Sequence, residues 1–135
     1  MKTELIDANI LIRLLTWDDP VKGAAVRALL VSAAAGARTL RMTTLAFAEI
    51  VWVLEKVYGW AKADIASHLV PLLNLSGLNI DESVLLQRAL ALYHTLNIDF
   101  IDAYQGELAV VEGSPVIYSY DRDLDRVPGI TRIEP

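Results

Sequence analysis

Short apolar runs alternate along this chain with longer segments whose apolar residues recur every three or four positions, and that alternation restricts the fold more than any other feature. "TELID" at 3–7 reads as a short buried strand, and "NILIRLL" then sets Ile10, Leu11, Leu14 and Leu15 on one helix face. "DDPVKGAAVRALLVSAAAG" opens with Asp18, Asp19 and Pro20, a helix-start signal, and ends at a capping Gly36. "RTLRMTT" at 38–44 is a strand whose last hydroxyls can cap the helix "LAFAEIVWVLEKVYG", which stops at Gly59. "KADIASHLVPLLNL" is helical until Pro71 kinks or shortens it, and "LNI" at 78–80 is the shortest strand. Asp81 is placed to cap the helix "DESVLLQRALALYHTL", and another helix runs from near Asp99 to Gly113. "PVIYSYD" is a strand running into Asp121, followed by a turn at Pro128-Gly129 and a last short strand, "TRI". Strands separated by helices predict an α/β fold, a parallel sheet with helices on both faces, in a single domain over 1–135. No repeat, linker or low-complexity segment interrupts it.

Composition removes whole classes of chemistry. The chain has no cysteine, which excludes disulfides, thiolate zinc sites and cysteine nucleophiles together. Its net charge of −5 argues against holding nucleic acid mainly by a basic surface, since that mode needs many phosphate contacts from Lys and Arg. At 54% hydrophobic residues the chain is not disordered, yet no run approaches the roughly 18 apolar residues of a membrane span. With no signal-peptide pattern at its start, a soluble cytoplasmic protein is expected. So apolar a chain, with Trp17, Trp52, Tyr58 and Trp60 of interface-enriched types, predicts a homo-oligomer or a tight partner.

The acids carry the functional signal. Each has a plain structural explanation: Asp7 as an N-cap, Asp99 and Asp102 as a capping pair, Asp121 as a turn residue beside Asp123 and Asp125. Glu49 is harder to explain that way, because Leu45, Ala46, Trp52 and Val53 around it are apolar; it is expected to be partly buried, with Lys56 two turns on as a possible mate. What singles these acids out is their combination. Asp7, Glu49, Asp102 and Asp121 are separated by 42, 53 and 19 residues, and the pattern places all four at the carboxyl edge of one sheet, where such folds bind ligands. Two carboxylates about 5 Å apart repel by roughly 3 kcal/mol at an effective dielectric near 20, so a shared pocket requires protons or a cation. Oxygen ligands without histidine or thiolate suit Mg²⁺ or Mn²⁺, which in turn bind phosphates. His68 and His94 fall in helices away from the acids, and no P-loop, nucleophile elbow or GxGxxG is present.

With Asp7-x-Asn9, Glu49, Asp99-x-x-Asp102-Ala103 and "SYDRDLDRVPGI" in this order, the chain resembles PIN-domain ribonucleases over essentially its whole length, more narrowly the VapC-type toxins of toxin–antitoxin pairs. The resemblance implies a PIN-like three-layer sandwich, Mg²⁺-dependent cleavage of RNA with Mn²⁺ as a substitute, a homodimer, and a cognate antitoxin that covers the site. It carries metal-site and catalytic roles onto Asp7, Glu49, Asp102 and Asp121, and supporting roles onto Asn9, Asp99 and Ser119, the last keeping a hydroxyl where relatives often have Thr. Arg13, Arg122 and Arg126 stand near the motifs and are read as solvated arginines. The alternative is a catalytically inactive PIN-like protein-interaction module, in which the acids only cap helices.

Overall fold

The computed structural model describes residues 3–135 in two compact units that divide between Ser83 and Val84. The first unit alternates strand and helix as the pattern requires: β1 (Thr3–Leu5), α1 (Ala8–Thr16), α2 (Pro20–Ala34), β2 (Thr39–Met42), α3 (Thr44–Lys56), α4 (Lys62–Leu73) and β3 (Leu78–Ile80). Its strands form a parallel sheet in the order β1-β2-β3. β1 is the edge, paired on one side only, so Thr3, Glu4 and Leu5 are exposed where a buried strand was expected; burial begins at Ile6. Central β2 instead buries Leu40 and Met42, and the surrounding helices bury Leu11, Phe47, Ile50, Leu54, Ile65 and Leu69.

Capping residues explain where the helices begin. Asp7 Oδ1 accepts from the Ile10 amide at 3.3 Å to start α1, and Asp19 accepts from the Lys22 amide to start α2 with Pro20 in its first turn. Asp18, grouped with Asp19 as a start signal, does something else: it accepts from the Tyr58 hydroxyl at 2.6 Å, from Arg13 and from Thr16, and the Tyr58 bond foremost holds its carboxyl below the ordinary range. Thr43 caps α3. Pro71 lies inside α4, which ends two residues later. Asp81, expected to cap the next helix, does not. Its two oxygens accept from Arg41 Nε and NH2 at 2.9 and 2.7 Å, a fork-to-fork pair, and the helix starts beyond it at Ser83.

The second unit contains α5 (Ser83–Thr95, from Val84 onward), α6 (Phe100–Val111), β4 (Val116–Tyr118), the 3₁₀ helix η1 (Arg122–Arg126) and β5 (Thr131–Ile133). β4 and β5 form a two-stranded parallel sheet, joined by residues 119–130, about the shortest crossover that parallel strands tolerate. Leu85, Leu86, Leu90, Tyr93, Ile98, Phe100, Leu124 and Val127 are among its buried side chains, with Tyr93 and Phe100 meeting edge to face at 5.8 Å. No helix of the described residues is long and apolar enough to cross a membrane. The fold is thus α/β, with parallel sheet and flanking helices.

Gly77, just before β3, has φ +85°, and a Cβ there would lie 2.2 Å from the Ala33 carbonyl oxygen of α2. Gly77→Ala combines a left-handed backbone with a clash against backbone, so it is expected to lose at least about 2 kcal/mol of stability. Urea unfolding checks this; a change below about 0.5 kcal/mol would contradict the packing described.

Candidate metal centre

The second unit brings three carboxylates together. Asp102 stands in the first turn of α6, Asp121 precedes η1, and Asp123 is in the first turn of η1; one oxygen of each lies within 4.8 Å of the others. The local chain explains why. Asp99 ends the extended segment before α6 but makes no side-chain capping bond, leaving its charge to act on Asp102 one turn on. β4 stops at Tyr118, three residues short of Asp121, because the chain turns there: Ser119 N–H donates to the Ile133 carbonyl, while its Oγ accepts from the Asp121 amide at 2.9 Å. Asp121 Oδ1 then accepts from the Asp123 amide at 2.9 Å, fixing one carboxylate of the pair relative to the other.

Cations and packing hold the turn without occupying the cluster's centre. Arg126 donates to the Leu96 and Asn97 carbonyls and, at 3.1 Å, to Asp123 Oδ1, pinning η1 to the α5–α6 loop. Arg132 donates to the Ser119 carbonyl and to Asp125 and Glu134, closing the other side. Beneath lies Gly106 of α6, where a Cβ would come within 2.8 Å of Val127; a helix-interior glycine is unfavourable by about 1 kcal/mol relative to Ala, and here it admits Val127 against α6.

The three acids do not titrate alike. Burial first, then a hydrogen bond with Asp121 and the charges of Asp121, Asp99 and Asp123, push the Asp102 carboxyl up to about 6. Asp121 goes the other way, because the Asp123 amide stabilises its anion, helped by the bond with Asp102. Asp102 is therefore the member that keeps a proton and Asp121 the member that gives it up. An oxygen-only set of this kind has the donor chemistry that suits a hard divalent cation.

The remaining sequence-predicted residues belong to the first unit. Asp7 is exposed, caps α1, and lines a hollow of about 320 Å³ with Glu4, Leu5, Ile6, Ile10, Leu29, Arg38 and Leu40. Asn9 is exposed in the first turn of α1. Glu49 corrects its expectation: it is exposed, not partly buried. α3 buries Phe47, Ile50, Val51 and Leu54 on one face, and the apolar neighbours that suggested burial, Leu45 and Trp52, are themselves 84% and 59% exposed on the other. Lys56 pairs with Glu55 at 2.7 Å instead. Asp123, read from the sequence as a solvated turn residue, is the member that reading missed; its signal is the Asp-x-Asp spacing that folds into one 3₁₀ turn. Of the arginines, Arg13 is held by Asp18 and Arg126 by the α5–α6 loop, so neither is a loose solvated group.

A raised carboxyl has a defined effect on stability. Asp102 takes up its proton near 6 in the fold and near the ordinary 3.8 when unfolded, so the folded state binds more protons between those values and gains stability as pH falls through 6. Thermal unfolding in chelator is expected to show this group's contribution rising from pH 7 to pH 5, and Asp102→Asn is expected to flatten it. An identical slope in the variant would contradict the assignment.

Compared with models of protein families, residues 5–130 match the PIN domain. A comparison with individually curated proteins gives no match. With the match running through nearly all of its 135 residues, the chain belongs to the PIN domain family, whose members are generally metal-dependent nucleases.

Proposed function

We propose that the chain is a Mg²⁺-dependent endoribonuclease, with Mn²⁺ able to substitute, and that it acts as the VapC-type toxin of a toxin–antitoxin pair. The observation that carries this reading is the group Asp102, Asp121 and Asp123, which brings one carboxylate oxygen of each within 4.8 Å of the others. We assign the metal-binding role to Asp7, Glu49, Asp102 and Asp121, with Asp123 next to Asp102 and Asp121, in one PIN domain over 1–135. When bound, Mg²⁺ supplies stabilisation of charge on a phosphodiester and a more acidic water, leading to a 5′-phosphate and a 3′-hydroxyl. The residues of the chain do the positioning. Asp102 and Asp121 would hold the ion, Asp121 is fixed by its bonds with the Ser119 hydroxyl and the Asp123 amide, and Asp99 adds negative charge nearby. Asn9 is available to donate to a carboxylate or a phosphate.

Partners follow from the same reading: RNA as substrate, a cognate antitoxin protein, and a second copy of the chain, in the cytoplasm. The exposed Leu45 and Trp52 on α3, either side of Glu49, support a protein partner on that face, since rings and aliphatic groups of this size lose little by being covered.

Purified protein free of antitoxin is expected to cleave single-stranded RNA in Mg²⁺ or Mn²⁺ and to stop in EDTA. Asp102→Asn and Asp121→Asn are each expected to lower the rate by about 100-fold or more, with folding retained. Cleavage unaffected by either substitution removes the site assignment. A folded protein that neither cleaves RNA nor gains thermal stability in millimolar Mg²⁺ favours the inactive interaction module.

A further inference from the structure

The chain leading into the acid group displays an exposed row that the metal centre does not use. From Val116 to Tyr120 exposure alternates: Val116, Tyr118 and Tyr120 are 48%, 69% and 71% exposed, while Ile117 and Ser119 between them are half-buried. Ser119 sets the phase. Its amide donates to Ile133, its carbonyl accepts from Arg132 and its hydroxyl accepts from Asp121, so residue 119 is turned into the protein and the tyrosines on either side are turned out. Neither tyrosine has a hydrogen-bond or ring partner among the described residues. The next residues are Asp121 of the acid group and Arg122, an exposed guanidinium that, unlike Arg126 and Arg132, has no partner among the described residues.

Two open aromatic rings, a carboxylate of the acid group and a guanidinium with no partner among the described residues thus occur within five consecutive residues. We infer that Tyr118 and Tyr120 stack nucleobases of a single-stranded RNA beside the acid group, with Arg122 meeting a neighbouring phosphate; this rests on the endoribonuclease reading and names how it holds substrate. Charge favours stacking over a basic groove. At net −5 the chain has little positive surface with which to release counterions from RNA, whereas base–aromatic stacking needs no net charge and tolerates any base. Single strands are required, because paired bases keep their faces stacked on each other.

The test uses the full chain, Ca²⁺ as a non-activating ion, and a short single-stranded oligoribonucleotide carrying 2-aminopurine, whose fluorescence falls on stacking. The wild type is expected to quench it, a duplex of the same sequence is not, and Tyr118→Ala and Tyr120→Ala are each expected to bind about tenfold more weakly. Tyr→Phe at either position keeps the ring and is expected to bind within about twofold of wild type, which separates stacking from loss of fold. Arg122→Ala is expected to reduce the salt slope of binding by about 0.7. Cleavage of the same oligonucleotide in Mg²⁺ is measured in parallel. Quenched binding without cleavage sustains the stacking row and overturns the nuclease reading. Cleavage with unchanged KM and unchanged quenching in the Ala variants overturns the row and assigns the tyrosines to a protein contact. A wild type that neither binds nor cleaves overturns both.

Discussion

Mutual repulsion among Asp102, Asp121 and Asp123 is the constraint around which the second unit is organised. Three carboxylate oxygens within 4.8 Å of one another are unfavourable by themselves, and nothing in a parallel two-stranded sheet requires them. The protein tolerates them by three separate devices: an amide directed at Asp121, an Asp102 carboxyl that ionises only above about pH 6, and a guanidinium that donates to Asp123. Each lowers the cost without filling the middle. An arginine at the centre would neutralise the group more completely, and would also abolish it as a cation site.

The surrounding fold can be understood as what keeps those devices in register. Asp102 comes from α6 and the other two from η1, so their spacing depends on how closely the two elements approach. Gly106 allows that approach by admitting Val127, and buried Leu124 holds η1 down. Ser119 links the sheet to the site, because its amide donates to Ile133 of β5 while its hydroxyl oxygen accepts from the Asp121 amide. The turn that aims the carboxylate is also the turn that faces Tyr118 and Tyr120 outward, so the acid group and the aromatic row are two results of one backbone path.

Much of this was legible in the residues, for reasons that are local. Strands and helices differ in period, and Asp7, Asp19 and Thr43 cap helices within four residues of themselves, so their roles could be read from neighbours in sequence. What could not be read depends on contacts across the chain. Asp81 has the composition of a cap, but its partner Arg41 lies 40 residues away on the adjacent strand. Glu49 has apolar neighbours on a helix that is apolar on more than one side, and periodicity does not say which side meets the core. The burial of β1 depended on its having two neighbouring strands in the sheet, and it has one. Asp123 carries only the Asp-x-Asp spacing as a signal, and that spacing becomes a shared site only once the 3₁₀ turn forms.

The most direct measurement is a calorimetric titration of the metal-free protein with Mg²⁺ or Mn²⁺ near pH 6, repeated in buffers of different ionisation enthalpy and again near pH 8. If the acid group is a cation site that holds a proton on Asp102, binding at the lower pH releases protons, release is nearly absent at pH 8, and Asp102→Asn and Asp121→Asn each weaken binding by tenfold or more. Binding that is absent, or that persists unchanged with either carboxylate removed, would contradict the account.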